Sequence, residues 1–208
     1  SRRHVFAFLL GAGRTVRPLL PAALKKKIQL APAAGEWPRA HHKTKMLLHV
    51  GCVQPAMMPN VDAATARVFD KLGIELIIAS DAECCGAIRQ HLNDYHGAEA
   101  QMKRNIDAWW PHVENGLDTI VINASGCGVM IKDYAEILAH DPAYADKAKR
   151  IAAMAKDVSE ILPGYAAQIG TLAQSKRQRV IPERVTYHPP CTLQHGQKIR
   201  GPVESLLG

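Results

Sequence analysis

The chain predicts an α/β fold: a parallel sheet flanked by helices, Rossmann-like in its layering, preceded by a basic helical arm. Three observations carry this reading. First, from Lys45 onward short apolar runs alternate with helix-periodic segments in the order β-α-β-α-β-α, which requires crossover connections between parallel strands. Second, AVILMFWYC residues make up 47% of the 208 positions and charged residues 22%, enough apolar material for a buried core and too much for a disordered or fibrous chain. Third, the positive charge is not spread over the body. Positions 1–45 hold ten Lys/Arg and the single acid Glu36, and the rest of the chain carries a small acidic excess.

The elements follow in order. Over 1–28 the apolar positions Val5, Phe6, Leu9, Leu10, Val16, Leu19, Leu20 and Leu24 are broken by Pro18 and Pro21, which predicts one or two short basic amphipathic helices. Positions 29–45, with Pro32, Pro38 and the pair His41–His42, read as a linker. Met46–Val50 is a buried strand. A helix follows, capped by Asn60 or Asp62, with Val61, Ala64, Val68 and Leu72 on one face and Gly73 at its end. Ile74–Ala79 is the second strand. Asp94 to Trp110 is a helix with Ala98, Met102, Ile106 and Trp109 inward, stopped by Pro111. Thr119–Asn123 is the third strand, followed by a helix over Val129–Ala139. Ile151, Met154, Val158 and Ile161 predict one helix over Ala143–Ile161. Pro163–Ile181 reads as loop or irregular helix, Val185–His188 as a fourth strand, and Leu193–Gly208 as the start of another helix.

The apolar runs Val5–Gly13 and Gly73–Ser80 are far shorter than the roughly 18 residues of a membrane span. The basic arm suits an acidic partner or an anionic membrane surface as well as it suits a solvated linker. A body without basic excess, with aromatics at 5%, argues against nucleic acid. The chain begins at Ser1 and is read as a piece of a longer protein.

The five cysteines, Cys52, Cys84, Cys85, Cys127 and Cys191, are the most informative residues. An odd count with an adjacent pair is a poor disulfide framework and favours thiol or metal chemistry. Each cysteine follows a predicted strand, and sites in parallel sheets form beyond the carboxyl ends of strands. Glycines flank them, in Gly51-Cys52, Cys84-Cys85-Gly86 and Gly126-Cys127-Gly128, where a backbone without Cβ can approach an inorganic group. Thiolates at such positions hold iron–sulfur clusters or tetrahedral zinc. A thiol–disulfide relay through Cys85 and Cys127, and a metal-free scaffold, are the other readings. His188, His195, His91 and His96 are surface histidines or extra ligands; Asp81 and Glu83 are turn and cap residues; Arg89 is a surface cation or a counter-charge. Trp109, Trp110 and Met102 are packing residues.

The spacing resembles the cysteine-rich CCG domain family: a cysteine, thirty-odd residues, Cys-Cys-Gly, a similar spacer, then Cys-x-x-Cys. Thirty-one residues separate Cys52 from Cys84, and Cys84-Cys85-Gly86 matches. Ala124 stands where the last element has its first cysteine, and the second spacer, forty-one residues from Cys85 to Cys127, is long. Tyr187-His188-Pro189-Pro190-Cys191 is similar to the start of a second unit, truncated here. Three phrases, Arg17–Leu24, Ala124–Gly128 and Cys191–Gln197, look like the iron–sulfur subunits of glycolate-oxidising complexes, as does the alanine at 124. The resemblance implies three parts: an arm and linker at 1–45, a first CCG domain at 46–183 and the start of a second at 184–208.

It further implies that Cys52, Cys84, Cys85 and Cys127 ligate an iron–sulfur cluster, [4Fe–4S] for four thiolates, with zinc as the alternative; Cys191 would serve a second metal site. The implied function is electron transfer from a flavin subunit toward quinone, in the cytoplasm and peripheral at the inner membrane. The equivalent subunit of a lactate or glycerol-3-phosphate dehydrogenase, or a docking scaffold for flavin subunits, is the alternative. The chain itself would turn over no substrate.

Overall fold

The computed structural model describes residues 2–175 and 186–207. The arm is helical as expected: α1 (Arg2–Val16), a 3₁₀ turn (Arg17–Leu19) and α2 (Ala22–Lys25). The central sheet contains β1 (Thr44–Leu48), β2 (Ile74–Ile77), β3 (Ile120–Ile122) and β4 (Ala155–Asp157). All strands are parallel, in the order β2-β1-β3-β4. The connections are α3 (Gln54–Met57) with α4 (Pro59–Lys71), then α5 (Ala87–His91) with α6 (Tyr95–Glu114), then α7 (Ser125–Lys132), α8 (Tyr134–Ile137) and α9 (Ala145–Met154). Beyond β4 lie α10 (Val158–Ile161), a 3₁₀ turn, α11 (Ala166–Ser175), a π-helical turn (Thr192–Gly196) and α12 (Pro202–Leu207).

Strand alternation sorts the core into two layers. Leu47, Ile120, Ile122 and Ala155 face one side, against Met102, Ile106 and Trp109 of α6, Ile131 of α7 and Ile151 of α9. Leu48, Val121, Ile74 and Leu76 face the other, against Ala66 and Phe69 of α4. Residues 120–122 are fully buried on both faces, as a central parallel strand requires.

Several expectations need correction. The helix predicted over Ala143–Ile161 is interrupted by β4, whose three residues pair with β3 in the register Ile120↔Ala155 and Ile122↔Asp157. Apolar positions on α9 and α10 keep helical spacing across the break, which hides it. Asp157 ends the strand and caps α10: its carboxylate accepts from the Ser159 amide at 3.0 Å, and Glu160 accepts from the Asp157 amide at 2.8 Å. This capping box is visible in the sequence as Asp157-Val158-Ser159-Glu160. The predicted fourth strand at Val185–His188 is not one: Thr186–His188 has no regular structure, and Val185 lies outside the described residues. Pro111 does not stop α6. It sits in the helix's last turn and gives up the one bond its own N–H would make, while the helix runs on to Glu114. Neither Asn60 nor Asp62 caps α4; the helix opens on Pro59, a first-turn residue that needs no amide partner. The start of α6 is as expected, with the Asp94 carboxylate accepting from the Gly97 amide at 3.1 Å. The domain boundary expected at 183–184 lies outside the described residues.

Ile120→Ala would remove a fully buried side chain from the central strand. It should cost about 2–5 kcal/mol, read as a lower denaturant midpoint with an unchanged slope.

Candidate metal centre

The order β2-β1-β3-β4 reverses direction between β1 and β3. The chain leaves β1 toward one edge and returns to the other side of it, so the connections diverge there and open a crevice at the strands' carboxyl ends. Cys52 follows β1 and Cys127 lies in the first turn of α7, after β3. Cys84 and Cys85 come from the connection after β2. The four thiols meet at this crevice as a chain of S–H···S contacts, Cys52 to Cys84, Cys84 to Cys85 and Cys85 to Cys127. All are free, Cys85 is buried, and the other three are half-buried.

The contacts polarise the group. Cys84 accepts from both Cys52 and Cys85, which holds its thiol far below its ordinary value. Cys127 is pulled down to about 5, first by the hydrogen bond from Cys85 and then, against the effect of burial, by His49. Cys52 and Cys85, the donors in these contacts, are pushed up, with burial adding to the effect. Four thiols in contact, two of them shifted toward the thiolate, make a soft donor set able to take up a metal group with release of protons.

The Cys84–Cys85 turn is held from behind. The Asn105 carboxamide of α6, fully buried, donates to the Cys84 carbonyl at 2.9 Å and accepts from the Glu83 amide at 2.7 Å. The Tyr134 hydroxyl of α8 donates to the Cys85 carbonyl at 2.8 Å and accepts from Asn105 at 3.1 Å. Gly86 turns the chain into α5 with φ +97°, and a Cβ there would come within 3.4 Å of the Ala98 carbonyl. Of the glycines beside the cysteines, this one has the left-handed conformation expected of it. A Cβ on Gly51 would make only an ordinary contact with Cys127, and one on Gly126 would meet nothing. Gly128 instead gives way to Gln197, whose amide would lie 2.4 Å from a Cβ at that position.

On the opposite flank, Gln54 donates to Asp62 at 2.7 Å and to Asn123 at 2.9 Å, and Asn123 donates to Asp62 and Thr65 at 2.9 and 3.1 Å. This cluster ties the segment after Cys52 to the end of β3. Asp62, expected as a cap, is its buried acceptor.

Sequence reasoning missed His49. It leaves β1 toward the thiols, is 2% exposed, and its ring nitrogens make no regular hydrogen bond. One of its nitrogens and the sulfurs of Cys85 and Cys127 all lie within 4.8 Å of one another. A histidine inside the apolar run Met46–Val50 was the available signal, since a buried polar ring needs a partner.

The remaining candidates are not among the contacting thiols. Cys191 is exposed at the start of the π-helical turn, whose Thr192 meets Ser125 of α7 at 2.6 Å. His91, His96, His188 and His195 are exposed. Arg89 pairs with Asp94, and Glu83 with Arg104 at 3.5 Å. Trp109 is fully buried in the core, its ring edge-on to His49 at 5.6 Å. A groove of about 770 Å³ lies elsewhere, lined by Trp37, Arg67, Val68, Leu72 and Ile169, with no cysteine in its wall.

Asn105→Leu would leave the Glu83 amide and the Cys84 carbonyl without their buried partner. A loss of about 1–3 kcal/mol in stability is expected, with Tyr134→Phe milder, both measured by urea unfolding of the metal-free chain.

Residues 46–132 match the family model described as a cysteine-rich domain, CCG. Over 207 residues the chain is 40% identical to the glycolate oxidase iron-sulfur subunit of Escherichia coli K12, covering 99% of this chain and 49% of that protein. It is 25% identical to the probable glycolate oxidase iron-sulfur subunit of Bacillus subtilis, over 88% of this chain and 39% of the relative. It is 27% identical to lactate utilization protein A of Geobacillus thermodenitrificans, over 71% of this chain and 57% of the relative. The chain thus spans about half the length of these curated relatives. No solved structure matches it. Residues 46–132, which contain the four converging thiols and the switch-point crevice, are a CCG cysteine-rich domain, in a chain related over nearly its whole length to glycolate oxidase iron-sulfur subunits.

Proposed function

We propose that this chain is the electron-relaying part of an iron–sulfur subunit in a glycolate-oxidising complex, holding an iron–sulfur cluster at Cys52, Cys84, Cys85 and Cys127. The observation that carries the reading is the meeting of four free thiols from three strand ends at one crevice. The contacts lower Cys84 and Cys127, which favours the thiolate form that ligates a cluster. The relatives' names support iron–sulfur rather than zinc: two are called iron-sulfur subunits, and none of those quoted mentions zinc. Four thiolates suit [4Fe–4S]. When bound, such a group supplies a one-electron donor and acceptor.

The chain's own residues do the rest. Asn105 and Tyr134 fix the direction of the Cys84–Cys85 turn. Trp109, Met102, Met130 and Ile131 form a dry wall on the core side, which limits water at the sulfurs. Glycolate would be oxidised on a flavin-bearing partner, and the electrons would leave toward quinone. Cys191, exposed and apart from the thiol chain, is assigned to a second metal site.

The arm supports a peripheral position at the inner membrane. No helix among the described residues is long and apolar enough to cross a membrane. Yet Phe8, Leu9, Leu19 and Leu24 are 73, 62, 87 and 47% exposed, beside Lys26 and Lys27, which are also exposed. Apolar side chains among cations are what an interfacial helix presents to anionic lipid.

Anaerobic reconstitution with iron and sulfide should load about four of each per chain. Cys85→Ser should lose most of both, and Cys191→Ser should keep them. Zinc without sulfide, or a Cys85→Ser protein that still loads fully, would refute the assignment. Flotation with phosphatidylglycerol vesicles tests the arm. Binding should fall several-fold in Phe8→Glu and in high salt, and an intact chain that ignores such vesicles would remove the membrane role.

A further inference from the structure

We infer that His49 is a nitrogen ligand to the metal group held by the strand-end cysteines, so that the donor set is mixed thiolate and imidazole. The inference rests on the cluster reading above. Its ground is a buried polar side chain turned to the thiols: the ring is 2% exposed, its nitrogens find no backbone or oxygen partner, and the group it acts on is the Cys127 thiol. An imidazole left in this state costs a few kcal/mol of lost hydration, and a core under selection for packing alone would replace it with leucine.

Its position is specific. A ring nitrogen of His49 and the sulfurs of Cys85 and Cys127 fall within 4.8 Å of one another. Tetrahedral donors with bonds of about 2.1 Å to nitrogen and about 2.3 Å to sulfur stand about 3.6 Å apart, so the three groups are near enough to share one metal group after local side-chain adjustment. Trp109 packs edge-on against the ring, at 87° between planes, which restricts its rotation.

Ligation needs no further deprotonation. One ring nitrogen gives its lone pair to the iron and the other keeps its proton. A neutral imidazole brings no charge, so the bound group is one unit less negative than it would be with a thiolate at position 49, and its reduction potential should be the higher of the two.

The test uses the full 208-residue chain, wild type, His49→Ala and His49→Cys, reconstituted anaerobically with iron and sulfide. Circular dichroism of the metal-free proteins checks folding. In the paramagnetic state, pulsed EPR of the wild type should show a nitrogen coupling that changes when histidine is labelled with ¹⁵N. The coupling should vanish in both variants. His49→Cys should keep its iron and have a lower midpoint potential, whereas His49→Ala should lose at least half its iron. A loaded wild type without the histidine coupling overturns the inference while sparing the cluster reading. So does a His49→Ala protein with unchanged iron content and potential. A wild type that loads no iron and sulfide overturns both.

Discussion

The thiol group depends on two hydrogen bonds to peptide oxygens. Adjacent cysteines on an extended segment point to opposite sides, so Cys84 and Cys85 reach one crevice only if their backbone is bent and held. Asn105 and Tyr134 do this from two different helices, binding the carbonyls of Cys84 and Cys85 and each other. Both side chains are fully buried, so these bonds face no competition from water and leave no polar atom cheaply unpaired. The helices that supply them are in turn positioned by the apolar layer on that face of the sheet. The core thus reaches the chemistry through a short polar bridge.

The second constraint is topological. With all four strands parallel, every strand's carboxyl end lies on one edge, and the reversal of order between β1 and β3 opens that edge where Cys52 and Cys127 emerge. Proximity among residues so distant in sequence therefore follows from strand order and demands no long ordered loops. The groove of about 770 Å³ lies apart from the thiols, against α4 and α11.

Much of this was legible in residue spacing, because β1, β2 and β3 are apolar runs ending in glycine or polar residues and the cysteines follow them at short intervals. The parts that were not legible share a cause: short elements whose pattern is absorbed by a neighbour. β4 has three residues and sits between helices whose apolar faces stay in phase, so periodicity alone runs through it. The capping box at Asp157 marks the break better than hydropathy does. Cys191 seemed to follow a strand because Thr186–His188 looks β-like locally, but the sheet edge is already occupied by β4. His49 escaped notice for the opposite reason: it lies inside a strong strand signal, and only the folded structure shows that its buried ring faces the thiols. Asn105 is likewise invisible as a functional residue, since it falls among the apolar positions of α6 and its partners come from other elements.

One feature of the packing bears on how the molecule divides. Gln197 presses its amide into the space left by Gly128 and donates to the Ser125 carbonyl and to Asp157, while Leu193 and Ile199 are buried. Gly196 makes the reciprocal allowance for Val129. The segment that looks like the opening of a second repeat is thereby mortised into α7, the helix that carries Cys127, and β4 closes the sheet from beyond position 132 as well. The stretch that a family pattern recognises and the stretch that packs as one body are of different lengths. A seam cut at the end of the matched stretch would pass through the interior.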